Sequence, residues 1–122
     1  MTLKQRIDAV FDAEINDLWN ALEEETRRQA EAYNAAVGDP EALLVWPGDP
    51  PLLVVHRKDG REVMVLVDRD NRALTEQYPN RAGAVRTGRP RLSFSVDAAG
   101  KLSFNLGSLE RAAASLLRRL IE

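Results

Sequence analysis

From Thr2 to Val37 the chain runs 36 residues without a glycine or proline, and Gly38, Asp39 and Pro40 then close the stretch. Ala, Glu, Leu, Arg and Gln dominate it, all compatible with helix, and a glycine followed shortly by proline is a stop signal. The larger or more apolar positions are Ile7, Phe11, Ile15, Leu18, Leu22, Thr26, Gln29, Tyr33 and Val37, in steps of four, four and three. That eleven-residue repeat, about 3.67 residues per turn, holds one stripe along a nearly straight helix. Val10 and Trp19 widen the stripe, and Glu14, Asp17, Glu23, Glu24, Glu25 and Glu31 keep much of the remaining surface acidic. One amphipathic helix over residues 1–37 is predicted.

The length of this helix implies something about partners. It would span about 54 Å, whereas a six-residue strand covers roughly 20 Å, so the helix is expected to overhang its own sheet. Each apolar side chain left in water there forfeits about 1.5–3 kcal/mol. A homodimer is therefore expected, with Phe11, Ile15, Leu18 and Leu22 in its interface. The competing reading is a break near Asn16, Asp17 or Asn20, giving two shorter helices on one core.

After Pro40 the pattern changes to strands and tight turns. "ALLVW" reads as a short first strand, closed by the turn-rich stretch from Pro47 to Pro51. "LLVVHRKDGREVMVLV" reads as a hairpin, because Asp59-Gly60 is the pair a two-residue type I′ turn prefers. Its register would set Lys58 opposite Arg61, His56 opposite Val63 and Val54 opposite Val65. Leu52, Val54, Val63, Val65 and Val67 would share one face, and Leu53, Val55, Met64 and Leu66 the other. Both faces are then apolar, so these strands are expected to be central and covered on both sides.

"RALTEQY" offers only Leu74 and Tyr78 to a core and reads as nearer an edge. In the last hairpin, with "AAG" as the loop and Gly100 left-handed, Asp97 pairs with Lys101, Val96 with Leu102, Phe94 with Phe104 and Leu92 with Leu106. Arg91, Ser93, Ser95, Ser103 and Asn105 then form a small, polar, wet face. Ser108 is a candidate N-cap for a helix whose stripe is Leu109, Ala113, Leu116, Leu117, Leu120 and Ile121.

The expected fold class is α+β: a long N-terminal helix, an antiparallel sheet of five or six strands over 41–106, and a C-terminal helix over 108–122 packed on the sheet. At 122 residues and 44% hydrophobic the chain suits one domain, 1–122, and is short for two. With no cysteine, disulfides and thiolate chemistry are excluded, which fits a reducing cytoplasm. No apolar run approaches the roughly 20 residues of a membrane span, so a cytoplasmic protein without membrane contact is expected.

Catalytic motifs fail on inspection. A Cys-His pair is excluded, and the serines lie in no G-x-S-x-G elbow. His56 is the one histidine, read as partly buried and hydrogen-bonded; an enzyme would need a pocket around it with Glu76 or Tyr78 nearby. Asp68 and Asp70 imitate the start of a calcium loop, but Arg72, Ala73 and Pro79 stand where a ligand, the turn glycine and the bidentate glutamate belong. "EEE" at 23–25 turns through about 200° on a helix and forms no single chelating face. No metal, cofactor or catalytic residue is expected.

"GAVRTGRP", residues 83–90, has the glycine spacing of a phosphate-binding loop but ends in Arg89-Pro90 and leads into a strand rather than a helix. Its glycines read as shaping the loop that enters the strand at Arg91. Charge is unevenly divided: residues 1–50 carry four bases and eleven acids, a balance of −7, while residues 51–122 carry thirteen bases and eight acids, a balance of +5. Arg81, Arg86, Arg89 and Arg91 lie within eleven residues free of acids, a candidate anion- or partner-binding cluster. The leading expectation is a non-enzymatic interaction module, dimeric through its N-terminal helix. The alternative is binding of an anionic ligand or nucleic acid through residues 81–91 and the adjoining polar sheet face, and a third reading pairs these arginines with the acidic helix.

Overall fold

The computed structural model describes residues 2–48, 52–68, 70, 72–79, 85–87, 92–105 and 108–121. Helix α1, Leu3–Val37, is unbroken, so the reading with a break near residues 16–20 does not hold. Thr2 caps it: its hydroxyl accepts from the Gln5 N–H (3.2 Å), and the Gln5 side chain accepts from the Thr2 N–H (2.8 Å). At the other end the Gly38 N–H turns back to the Ala35 carbonyl (3.3 Å) and the Asp39 N–H to the Asn34 carbonyl (3.0 Å).

Seven strands follow among the described residues: β1 Leu43–Gly48, β2 Leu52–Arg57, β3 Glu62–Asp68, β4 Ala73–Pro79, β5 Val85–Thr87, β6 Leu92–Val96 and β7 Leu102–Phe104. All pairings are antiparallel, in the order β1-β2-β3-β4-β6-β7, with β5 beside β4. The chain ends in helix α2, Leu109–Ile121, whose first turn is capped by the Ser108 hydroxyl accepting from the Arg111 N–H (3.2 Å). The α+β class, the two terminal helices and the antiparallel sheet are as expected.

Four local expectations are corrected. The hairpin between β2 and β3 is one residue out of the expected register: Val54 pairs with Met64, Val55 with Val63 and His56 with Glu62. The Arg57 N–H donates to the Arg61 carbonyl (2.7 Å) and the Gly60 N–H to the Arg57 carbonyl (2.9 Å), so the loop has three residues, Lys58 to Gly60, with Gly60 at φ 98°. A three-residue loop ending in a left-handed glycine is the next most common hairpin closure after the two-residue turn. The Asp59 carboxylate also receives the Arg61 N–H (3.1 Å) and lies 3.5 Å and 3.1 Å from the Arg57 and Arg61 guanidinium groups, holding the turn shut. No atom lies within 4 Å of where a Gly60 side chain would begin, so Gly60→Ala should cost only its backbone strain, about 1–2 kcal/mol, read as a lower urea midpoint. A neutral result would mean that this hairpin closes differently.

The slip inverts β2 relative to β3. Leu53, Val55, Val63 and Val65 share the buried face, while Val54, Met64 and Leu66 turn to the other side and are only half-buried. These strands are therefore covered on one face, not both. β4 is likewise not at an edge, since it pairs with β3 on one side and with β5 and β6 on the other. The stretch read as a loop before Arg91 contains β5, which lies along β4 opposite Gln77, Tyr78 and Pro79.

The last hairpin follows the expected register where it is described, with Phe94 opposite Phe104, Val96 opposite Leu102, and the Asp97 N–H on the Lys101 carbonyl (2.8 Å); Leu106, the expected partner of Leu92, lies outside the described residues. Gly100 is left-handed at φ 79°.

Both helices lie on one side of the sheet, and the core fills the space between. From α1 come Phe11, Ile15, Trp19, Leu22 and Ala30; from α2, Ala112, Ala113, Leu116, Leu117 and Leu120; from the sheet, Leu43, Val45, Leu53, Val55, Val63, Val65, Leu74, Phe94, Leu102 and Phe104. The buried α1 positions, 11, 15, 19, 22, 26, 30 and 34, advance in steps of four with a single step of three, and choose Trp19, Ala30 and Asn34 where Leu18, Gln29 and Tyr33 were expected.

α1 runs across the strands, not along them. Near its start Phe11 meets Phe94 of β6 edge-on (5.3 Å between ring centres), and Glu14 accepts from the Leu102 N–H of β7 (3.4 Å). Near its end Asn34 bonds to Leu43 of β1, at the opposite end of the strand order. The stripe from Phe11 to Asn34 is thus covered by successive strands of the sheet together with α2. Only the tips project, with Leu3 and Val37 exposed.

Polar ties lock this layer. Gln29 donates to the Glu110 carbonyl of α2 (3.0 Å), Arg57 donates to the Leu120 carbonyl, and Asp8 pairs with Arg72 (3.1 Å). Lys58 pairs with Asp39 (2.9 Å); the Lys58 ammonium, and after it the Glu41 N–H, hold the Asp39 carboxyl below its usual range. The acidic first part of the chain and the basic remainder meet at Asp8–Arg72 and Asp39–Lys58.

Candidate functional site

The sheet face turned away from the helices has a graded composition. Directly opposed residues place Trp46, Val54, Met64 and Gln77 in one row, Leu44, His56 and Glu62 in a second, and Leu66 and Thr75 in a third. β1 to β3 thus present Leu44, Trp46, Val54, Met64 and Leu66 outward. Trp46 is 46% exposed, and the other four are half-buried.

Polar groups rim this apolar centre. Thr75 and Gln77 bound it on β4, and beyond them the face becomes small and hydrophilic. Ser95 and Ser103 face each other (Oγ to Oγ 3.5 Å), and the Asn105 side chain accepts from the Ser93 N–H (3.1 Å). At the end nearest the Gly60 turn, His56 Nδ1 lies 3.0 Å from Glu62 Oε1, and its ring stacks on Trp46 at 5.3 Å and 15°. A contiguous apolar patch with a polar rim is the composition of a contact surface.

The expected site residues are distributed differently. Phe11, Ile15 and Leu22 are buried within this single chain, and Leu18 packs partly buried against the same core. The overhang that motivated a dimer through these four residues is therefore filled by the chain's own sheet and C-terminal helix. Arg81, Arg89 and Arg91 lie outside the described residues; Arg86 lies in β5, opposite Tyr78.

His56 and Glu76 do not converge, because His56 stands with Glu62 on the outer face while Glu76 pairs with Val65 on the inner face and is 2% exposed. Register thus separates the His56–Glu76 pairing, while the side chain of Tyr78, the other expected neighbour, lies outside the described residues. Among the described residues no three His, Asp or Glu side chains are grouped to hold a metal ion, and no helix is long and apolar enough to cross a membrane.

Trp46 and Met64 were missed as surface residues. The observed register sets Trp46, Val54 and Met64 side by side, whereas the expected one separates Val54 from Met64.

The architecture is a two-layer α+β fold in which both helices cover one face of the sheet and neither covers the other. No protein-family model matches the chain, and no curated protein or solved structure does either.

Proposed function

We propose that the chain is a non-enzymatic interaction module whose contact surface is the outer face of β1 to β3. The observation that carries this reading is Trp46, a large aromatic side chain left 46% exposed beside Leu44, Val54, Met64 and Leu66 on a face that neither helix covers. Large aromatic residues flanked by apolar neighbours and a polar rim supply most of the affinity at protein interfaces. The His56–Glu62 pair supports Trp46 from beneath by stacking, a positioning role that needs no reaction.

Site-specific photo-crosslinking in the native cells tests the reading. A photoreactive residue at Gln77, on the rim of the patch, should give adducts that Met64→Lys abolishes, while the same group at Ala13, on the exposed back of α1, should give none. Absence of adducts from position 77 would defeat it.

A further inference from the structure

We infer that Trp46 is governed by a pH-sensitive switch, in which protonation of His56 holds the indole in its stacked position; the inference rests on the reading of this face as a contact surface and names the regulation of that surface. Three observations meet at one point of the sheet. His56 is the one histidine of the chain, and imidazole is the side chain that ordinarily changes charge between about pH 5 and pH 8. Its ring stacks on Trp46, with 5.3 Å between centres and 15° between planes. Its Nδ1 lies 3.0 Å from Glu62 Oε1.

Both contacts respond to the charge on the ring, and in the same direction. A cation within about 6 Å of an indole face is attracted by the negative face of the π-system. A neutral imidazole in the same place brings only dispersion and apolar contact. At Nδ1 the neutral ring has two tautomers, one of which turns a lone pair toward the Glu62 carboxylate. The protonated ring has a hydrogen on both nitrogens, so Nδ1 always donates to Glu62 in a charge-assisted bond. Protonation therefore fixes the imidazole on Glu62 and adds attraction to the indole above it.

Exposure lets the switch operate and limits its size. The His56 and Glu62 side chains are 25% and 31% exposed, so protons exchange with water, and Trp46 at 46% has room to leave the stack. At such a site the cation adds about a two- to fivefold bias toward the stacked indole. Among the described residues the charged neighbours leave Glu62 to answer the ring. β1 places Leu44 and Trp46 beside His56, and β3 places Glu62 and Met64. Lys58, two residues along β2, is tied to Asp39 (2.9 Å) with Glu41 near it, and the guanidinium groups of Arg57 and Arg61 are tied to Asp59. A partner that takes the stacked indole gains the same two- to fivefold as pH falls, because the bound arrangement is then already populated.

Side-chain scalar couplings of Trp46, measured by NMR on the full chain from about pH 8 to about pH 5, test this directly, since they report rotamer populations. The ratio of stacked to other rotamers should rise about two- to fivefold on acidification, while the couplings of Trp19, buried at 7% exposure, stay constant. In His56→Gln the ratio should not change with pH. In His56→Phe, which keeps a ring under the indole without the charge, it should be equally insensitive. A ratio that stays constant in the wild-type chain, or that changes as much in both variants, overturns the inference. Crosslinking from position 77 tests the face separately. Adducts together with a pH-insensitive Trp46 would remove the switch and keep the contact surface. A pH-sensitive Trp46 without adducts would remove the contact surface and its regulation, and leave only the stack.

Discussion

Asn34→Ala is expected to lower the unfolding free energy by about 2–4 kcal/mol, well beyond the effect of a surface change on a helix. Asn34 is 6% exposed and joins the helix to the sheet: its Nδ2 donates to the carbonyls of Leu43 (2.9 Å) and Pro40 (3.2 Å), and its Oδ1 accepts from the Leu43 N–H (2.8 Å). Leu43 is 2% exposed, and its backbone groups point away from β2, so alanine leaves a buried donor and acceptor without partners. Asn34→Asp should be no milder at neutral pH, because a carboxylate would then face the two carbonyl oxygens. Protonation restores one donor, so part of the loss should return in acid. Urea unfolding and hydrogen exchange at the Leu43 amide give the measurement; a loss under about 1 kcal/mol would mean that α1 docks without this joint.

Leu22→Ala should cost about 3 kcal/mol, within the range for leucines deleted from a filled core. Leu22 is 0% exposed and belongs to the cluster that also holds Trp19, Val55 and Leu116. Because the cavity opens within one chain, the shift in melting temperature should be the same at about 1 µM and about 100 µM protein, and smaller for Leu18→Ala, which is only partly buried. A loss that grows with dilution would return the helix stripe to an intermolecular role.

The elements differ in how much of their structure could be read locally. The described part of the final hairpin was legible, because Leu, Phe and Val alternate with Ser and Asn and any one-residue slip would put serines in the core. The hairpin at Asp59-Gly60 was not. Its strands are apolar on both faces, so alternation does not choose a register, and a left-handed glycine serves a two- or a three-residue loop. The error of one residue hid the candidate site, since it divided the outward row of Val54 and Met64. β4 was misjudged for a related reason: Thr75, Glu76 and Gln77 look like edge residues, yet pairing on both sides makes the strand central and buries Glu76.

Sequence periodicity by itself determined the two helices, six of the seven described strands and most of the core, because helix caps, turn glycines and apolar spacing act over a few residues. Tertiary structure alone decided where α1 lies. The expected overhang compared helix length with strand length, but Phe11 packs on β6 and Asn34 on β1, so the helix spans the width of the sheet and buries its own stripe. That placement uses both helices on one face and leaves the other, with Trp46 and Met64, uncovered. The direction in which a helix crosses a sheet depends on contacts between residues tens of positions apart, and short-range pattern carries no record of it.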